Sequence, residues 1–248
     1  MLSTFKSLLL VSVFITDTYA GENTQSLVQK LHSPDVSVRT LGVQIVLNNH
    51  LSLKDSIIRS TLVKLAESET NGSGWGEQEE FPVYQNYYGL LIRTVQNIAV
   101  QFHSDEAWDQ LVLSHYNDET DFSKWLAGQP EAINRSFYFA SDQSDVFRSR
   151  AVALLATGLA ICQVTRQGEA CSSIIPKSAQ ILNLLRENSL GVETSSTRAE
   201  SVWGLGICGG KEELPFLESL IKPDSNPWFV MSVHRAEKRI KDRSKLPG

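Results

Sequence analysis

The chain has 248 residues, 42% hydrophobic and 21% charged, a balance that suits a soluble globular protein with a sizeable core. Its 23 Lys and Arg stand against 28 Asp and Glu, a formal charge of −5. Without a clustered basic face to neutralise phosphates, nucleic acid is excluded as the expected partner.

The first twenty residues differ from all that follow. Lys6 precedes the apolar run Leu8 to Ile15, polarity returns at Thr16, and Thr18-Tyr19-Ala20 offers the small residues that a signal peptidase requires. The expectation is a signal peptide over 1–20, a mature chain from Gly21, and export to the periplasm or extracellular space. An apolar core of about nine residues falls short of the roughly twenty that span a bilayer. No later stretch is long and apolar enough, so no transmembrane segment is expected after signal removal.

Most of residues 21–248 repeat apolar residues at spacings of three and four, which predicts an all-α protein. Helices are expected over 23–32, 35–48, 53–67, 83–102, 104–116, 120–127, 130–139, 145–163, 172–188, 195–208, 211–221 and 227–243. Ser33-Pro34-Asp35, Gly209-Gly210 and Lys222-Pro223-Asp224 supply stop and cap chemistry between them. Two stretches exceed short connections, at about 68–82 and 117–143. The first holds Asn71-Gly72-Ser73-Gly74-Trp75-Gly76 followed by Glu77, Glu79 and Glu80, a composition that favours an exposed loop. The basic tail from Arg235 to Lys245 suits the negative end of a helix dipole.

An exported chain meets oxidising conditions. Cys162 and Cys171 lie nine residues apart across an interhelix turn, and a bridge between them requires Cα atoms within about 7 Å. Cys208 would then remain as a small buried apolar residue.

A weak internal repeat appears at four helix starts: Val38-Arg39-Thr40-Leu41, Ile92-Arg93-Thr94-Val95, Phe147-Arg148-Ser149-Arg150 and Thr197-Arg198-Ala199-Glu200. The segment from Ser196 to Leu217 resembles a HEAT-like repeat, and Pro34-Asp35 with Val38-Arg39 looks like the Asp-x-x-Val-Arg opening of that family, the PBS-lyase-type α-solenoids. The resemblance implies a right-handed α-α superhelix of about four to five irregular helix pairs, with insertions at 68–82 and 117–143. It also implies protein or ligand binding more often than catalysis. Arg39, Arg93, Arg148 and Arg198 would then pair with acids or backbone of adjoining repeats. Gly204 and Gly206 would permit close helix approach.

Few constellations carry chemistry. The five histidines are scattered, none forms a metal-binding pair on one helix face, and no metal or cofactor is expected. His103 and His115 sit near Asp105, Asp118, Glu119 and Asp121 but at opposite ends of a helix. Gly72-Ser73-Gly74 lacks the spacing of a nucleophile elbow. Trp75, Phe81, Tyr84 and Tyr88 form an aromatic-rich segment beside acids, a candidate surface for a partner protein; the alternative is that Tyr84 to Tyr88, which open a helix, are buried. The function expected is an exported binding or scaffold protein with no assigned catalysis. The alternative is an enzyme or small-ligand binder resembling the HEAT-like bilin lyases.

Overall fold

The computed structural model describes residues 23–49, 52–71, 81–114, 121–165, 169–192 and 195–245. The expected signal peptide and residues 72–80 of the expected loop lie outside them. The described residues are all-helical, with no strand among them. They divide into two compact units, one ending at Gln110 and the other beginning at Leu111.

In the first unit, α1 (Thr24–Leu31), α2 (Val36–Asn48), a 3-10 turn (Ser52–Lys54), α3 (Ser56–Asn71) and α4 (Phe81–Phe102) follow in turn, and α5 (Asp105–Leu113) begins. Asn23 and Asp35 start α1 and α2 by accepting from the backbone N–H of Ser26 at 2.8 Å and Ser37 at 2.7 Å. Asp55 does the same for α3, taking the Ile57 N–H at 2.8 Å. Its second oxygen accepts the Thr24 hydroxyl at 2.6 Å, which joins the starts of α1 and α3 and holds the carboxyl below its usual range. Side by side, α2 and α4 bury Val43, Ile45 and Val46 against a stripe from Tyr84 through Leu91 to Ala99. Helix α3 runs past the expected end at Glu67. Its last turn stays helical because Glu69 is held, accepting the hydroxyls of Tyr84 at 2.7 Å and Tyr87 at 3.1 Å. The exposed loop expected from Ser68 is corrected at Ser68 to Asn71, which continue the helix.

The second unit contains α6 (Asp121–Ala127), α7 (Pro130–Phe139), α8 (Asp145–Thr165), α9 (Glu169–Ile174), α10 (Ser178–Ser189), α11 (Ser196–Cys208), α12 (Leu214–Ser219) and α13 (Pro227–Arg243). The stretch expected as an insertion at 117–143 thus contains two helices. Near α9 the expected helix 172–188 is broken, because Pro176 lacks an N–H and the chain turns through a 3-10 segment at Ile175–Lys177. Helix α8 is buried almost all round, from Ser149 to Cys162. That burial follows from its position among α6, α7, α9 and α11.

Contacts fix the directions of the last helices. The Asp145 carboxylate at the start of α8 accepts the N–H groups of Ser196 at 2.7 Å and Thr197 at 3.2 Å at the start of α11. At the other end, Gln163 donates to the Cys208 carbonyl at 2.8 Å. Helices α8 and α11 are therefore parallel and in register. Likewise α11 and α13 match end to end: Arg198 lies 3.7 Å over the Phe229 ring, and Arg243 donates to the carbonyls of Gly206 and Gly209, each at 2.6 Å. Helix α10 runs the other way, with Arg198 donating to the Ser189 carbonyl at 2.9 Å and Gly204 close to Leu185. The buried Glu213 carboxylate receives both arms of Arg186, at 2.8 and 2.6 Å, tying α10 to the turn after α11.

The small residues on α11 set the distance. A Cβ added at Gly206 would lie 2.8 Å from the Ala236 Cα, and one at Gly204 would lie 2.9 Å from the Ala156 Cβ. A backbone atom cannot step aside as a flexible side chain can. Gly206→Ala is therefore expected to lower stability by about 1–3 kcal/mol through overpacking. A denaturant midpoint equal to that of the unchanged chain would show that α11 and α13 are not this close.

Candidate functional site

In the first unit a cleft of about 560 Å³ opens between α3 and α5, with Ile98 of α4 behind it. One face of α3, at helical spacing, supplies Ser56, Ser60, Val63, Lys64 and Glu67. Glu106, Asp109 and Gln110 of α5 face them. The link between α4 and α5 is only His103 and Ser104, and His103 adopts the left-handed conformation with φ of 50°. Ser104 starts α5 by accepting the Ala107 N–H at 3.2 Å, and its hydroxyl donates to Glu106 at 3.0 Å.

Two cations and three carboxylates line the cleft. Arg59 is committed elsewhere, donating to the carbonyls of Leu53 at 2.7 Å and Lys54 at 2.9 Å and stacking 4.3 Å over the Phe102 ring. Gln110 is 9% exposed, and its side-chain oxygen is buried with no hydrogen-bond partner among the described residues. Among the described residues no group of His, Cys, Asp and Glu is assembled that could hold a metal ion. His115, Asp118 and Glu119 lie outside them.

The four repeat arginines fare differently. Arg39 donates to the carbonyls of Ser33 and Pro34, at 3.0 and 2.9 Å, and lies 5.0 Å over the Tyr87 ring. Arg148 bridges to Thr197 at 3.3 Å and to Asp145 at 3.7 Å. Arg198 closes the end of α10 as described above. Arg93 departs from the expectation: it is exposed, and no hydrogen bond or ion pair joins it to the described residues. Its place in the pattern belongs to Arg59. Asp35 with Arg39 and Asp55 with Arg59 repeat the same cap and the same backward reach, five and six residues, to two carbonyls. The sequence signal is the spacing Asp-x-x-x-Arg at 35–39 and 55–59, which recurs after twenty residues, whereas Arg39, Arg93, Arg148 and Arg198 stand about fifty apart.

Tyr84 and Tyr88 are 8% and 6% exposed, so they belong to the packing of the first unit. That corrects the expectation of an exposed aromatic surface at those two positions: the two rings stack on each other, and Tyr84 also lies edge-on to Tyr87 and donates to Glu69 at the end of α3. Trp75 and the side chain of Phe81 lie outside the described residues. In the second unit Cys162 and Cys171 are joined by a disulfide with Cα atoms 5.2 Å apart, and Cys208 is a free, buried thiol. Burial pushes the Cys208 thiol up to about 12.

A set of exposed apolar side chains has no local signal in the sequence. Val146, Leu190, Val192 and Trp228 are 47%, 67%, 71% and 74% exposed. Val146, Leu190 and Trp228 adjoin Asp145, Ser189 and Phe229 in sequence, Val192 follows two residues after Leu190, and the Ser196–Arg198 contacts bring Asp145, Ser189 and Phe229 together. All four therefore share one edge of the unit. No helix among the described residues is long and apolar enough to cross a membrane.

No protein-family model matches the chain, and no curated protein matches it. Among solved structures it is similar to the crystal structure of an engineered protein from the Northeast Structural Genomics Consortium. The two are 16% identical, the match covers 90% of this chain and 98% of that one, and the TM-score is 0.38.

The buried tyrosines carry a pH dependence. Burial, with the Glu69 carboxylate beside them, raises the hydroxyls of Tyr84 and Tyr87 well above the ordinary tyrosine range. Their folded values exceed the unfolded one, so their contribution is complete below about pH 10 and is lost as pH rises beyond it. Urea midpoints between pH 8 and 12 are expected to fall more steeply above pH 10 for the unchanged chain than for Tyr87→Phe. Parallel curves would contradict the burial of that hydroxyl.

Proposed function

We propose that the chain is an exported binding protein built of HEAT-like helix pairs, which holds another protein against the exposed edge of its second unit. The observation that carries the binding reading is that edge, where Trp228, Leu190, Val192 and Val146 are each exposed at the same end of the unit. Tryptophan and aliphatic side chains gathered this way are the usual material of an interface core. The helix-pair reading draws support from the parallel register of α8, α11 and α13, with α10 antiparallel to α11, and from the HEAT-like segment Ser196 to Leu217. Export draws support from the apolar run Leu8 to Ile15 with its Ala20 cut site, and from the Cys162–Cys171 bridge, which an oxidising compartment preserves.

Two measurements test the two halves of this reading. Leu190→Ser with Trp228→Ser alters exposed positions, so stability is expected to stay within about 0.5 kcal/mol. Capture of a saturable partner from the extracytoplasmic fraction is expected to be lost with it. Equal capture by both proteins would remove the edge from the account. Thiol titration of denatured, unreduced protein is expected to find one free thiol per chain, Cys208. Recovery from the cytosol with all of the cysteines free would contradict export.

A further inference from the structure

We infer that the α3–α5 cleft of the first unit binds the cationic head of a lysine or arginine side chain presented by an extended peptide. This deepens the binding-protein reading and rests on it. The argument begins with what the cleft accepts. Glu67, Glu106, which already accepts the Ser104 hydroxyl, and Asp109 bring carboxylates to it, and the buried Gln110 oxygen adds an acceptor with no donor among the described residues. A buried acceptor left unmade costs about 1–3 kcal/mol, which a donor arriving with a ligand recovers. A partner suited to this set carries positive charge and several N–H donors, the definition of an ammonium or a guanidinium.

The walls agree with the rim. Ile98 and Val63 give an apolar lining against which the methylene stem of such a side chain packs while its head reaches the carboxylates. Arg59 does not compete, because the Leu53 and Lys54 carbonyls and the Phe102 ring hold it. Lys64 is exposed and meets the acidic or carbonyl groups that flank a basic residue in a peptide. A volume of about 560 Å³ takes a long side chain together with its flanking peptide units. A bare metal ion fits less well, since the described carboxylates do not gather into a group that could ligate one.

The test is calorimetric titration of the mature chain at low salt with blocked tripeptides Gly-Arg-Gly, Gly-Lys-Gly and Gly-Met-Gly, and with spermidine. Saturable binding of the two basic peptides and none of the neutral one is expected. Glu67→Gln with Asp109→Asn is expected to raise Kd about tenfold, equivalent to about 1.4 kcal/mol. Gln110→Leu is expected to weaken binding as well. Glu187→Gln, an exposed acid of the second unit, is expected to leave it unchanged. If no basic peptide saturates, or if Glu187→Gln weakens binding equally, the site is refuted. Spermidine binding more tightly than either basic peptide would overturn the peptide assignment. Circular dichroism of each variant separates lost binding from lost fold. Partner capture through the Trp228 edge with a silent cleft would refute this inference and leave the proposed function standing. Peptide binding without any edge-dependent partner would do the reverse.

Discussion

Arginine side chains closing on backbone carbonyls at the ends of other elements are the interaction on which these helix packings depend. The last carbonyls of a helix have no partner within it, and they carry the negative end of its dipole. Arg198 takes the Ser189 carbonyl that ends α10, Arg243 takes those of Gly206 and Gly209 at the end of α11, and the buried Arg150 takes that of Leu113 at the end of α5. In the first unit, Arg39 and Arg59 do the same for the turns that precede their own helices. Each bond satisfies a helix end or a turn, and those of Arg198 and Arg243 also fix where that end lies beside another helix.

Register follows, and packing follows register. With starts and ends matched, Gly204 meets Ala156 and Leu185, and Gly206 meets Ala236, so the helices approach as closely as their backbones permit. Leu205, Val202 and Cys208 are then buried against neighbours earlier and later in the chain. The surfaces left over define what can be recognised. In the second unit Val146, Leu190, Val192 and Trp228 lie at the end where α8, α11 and α13 begin, while Val164 is exposed near the other end of α8. In the first, α3 leaves a polar face opposite the charged side of α5, and the cleft between them stays open.

Much of this was legible in the sequence because helices announce themselves by apolar spacing and by caps. Asp35, Ser195 and Asn226 mark helix starts, and each cap bond is present. The glycines of α11 were readable too, since a helix interior otherwise disfavours them. The failures have physical causes. Arg93 resembles the other arginines only in its neighbours, and it has no turn carbonyls before it, since α4 is already three turns long at that point. Tyr84 and Tyr88 begin beside a polar stretch, yet Glu69 supplies the hydrogen bond that lets Tyr84 be buried. The edge of exposed apolar residues draws on three separate segments, so it exists only once the helices are aligned. The cleft is similar, because nothing in the local sequence relates Glu67 to Asp109.

Stability of one arginine variant tests the central claim most directly. Arg198→Met keeps the length and most of the apolar contact of the side chain while removing its charge and its bond to Ser189. A loss of about 1.5–3 kcal/mol is expected from a buried charged hydrogen bond, while Arg235→Met, on the exposed side of α13, should change stability by less than about 0.5 kcal/mol. Equal effects of the two substitutions would contradict the account, because an arginine that merely faces solvent would then matter as much as one that closes a helix end.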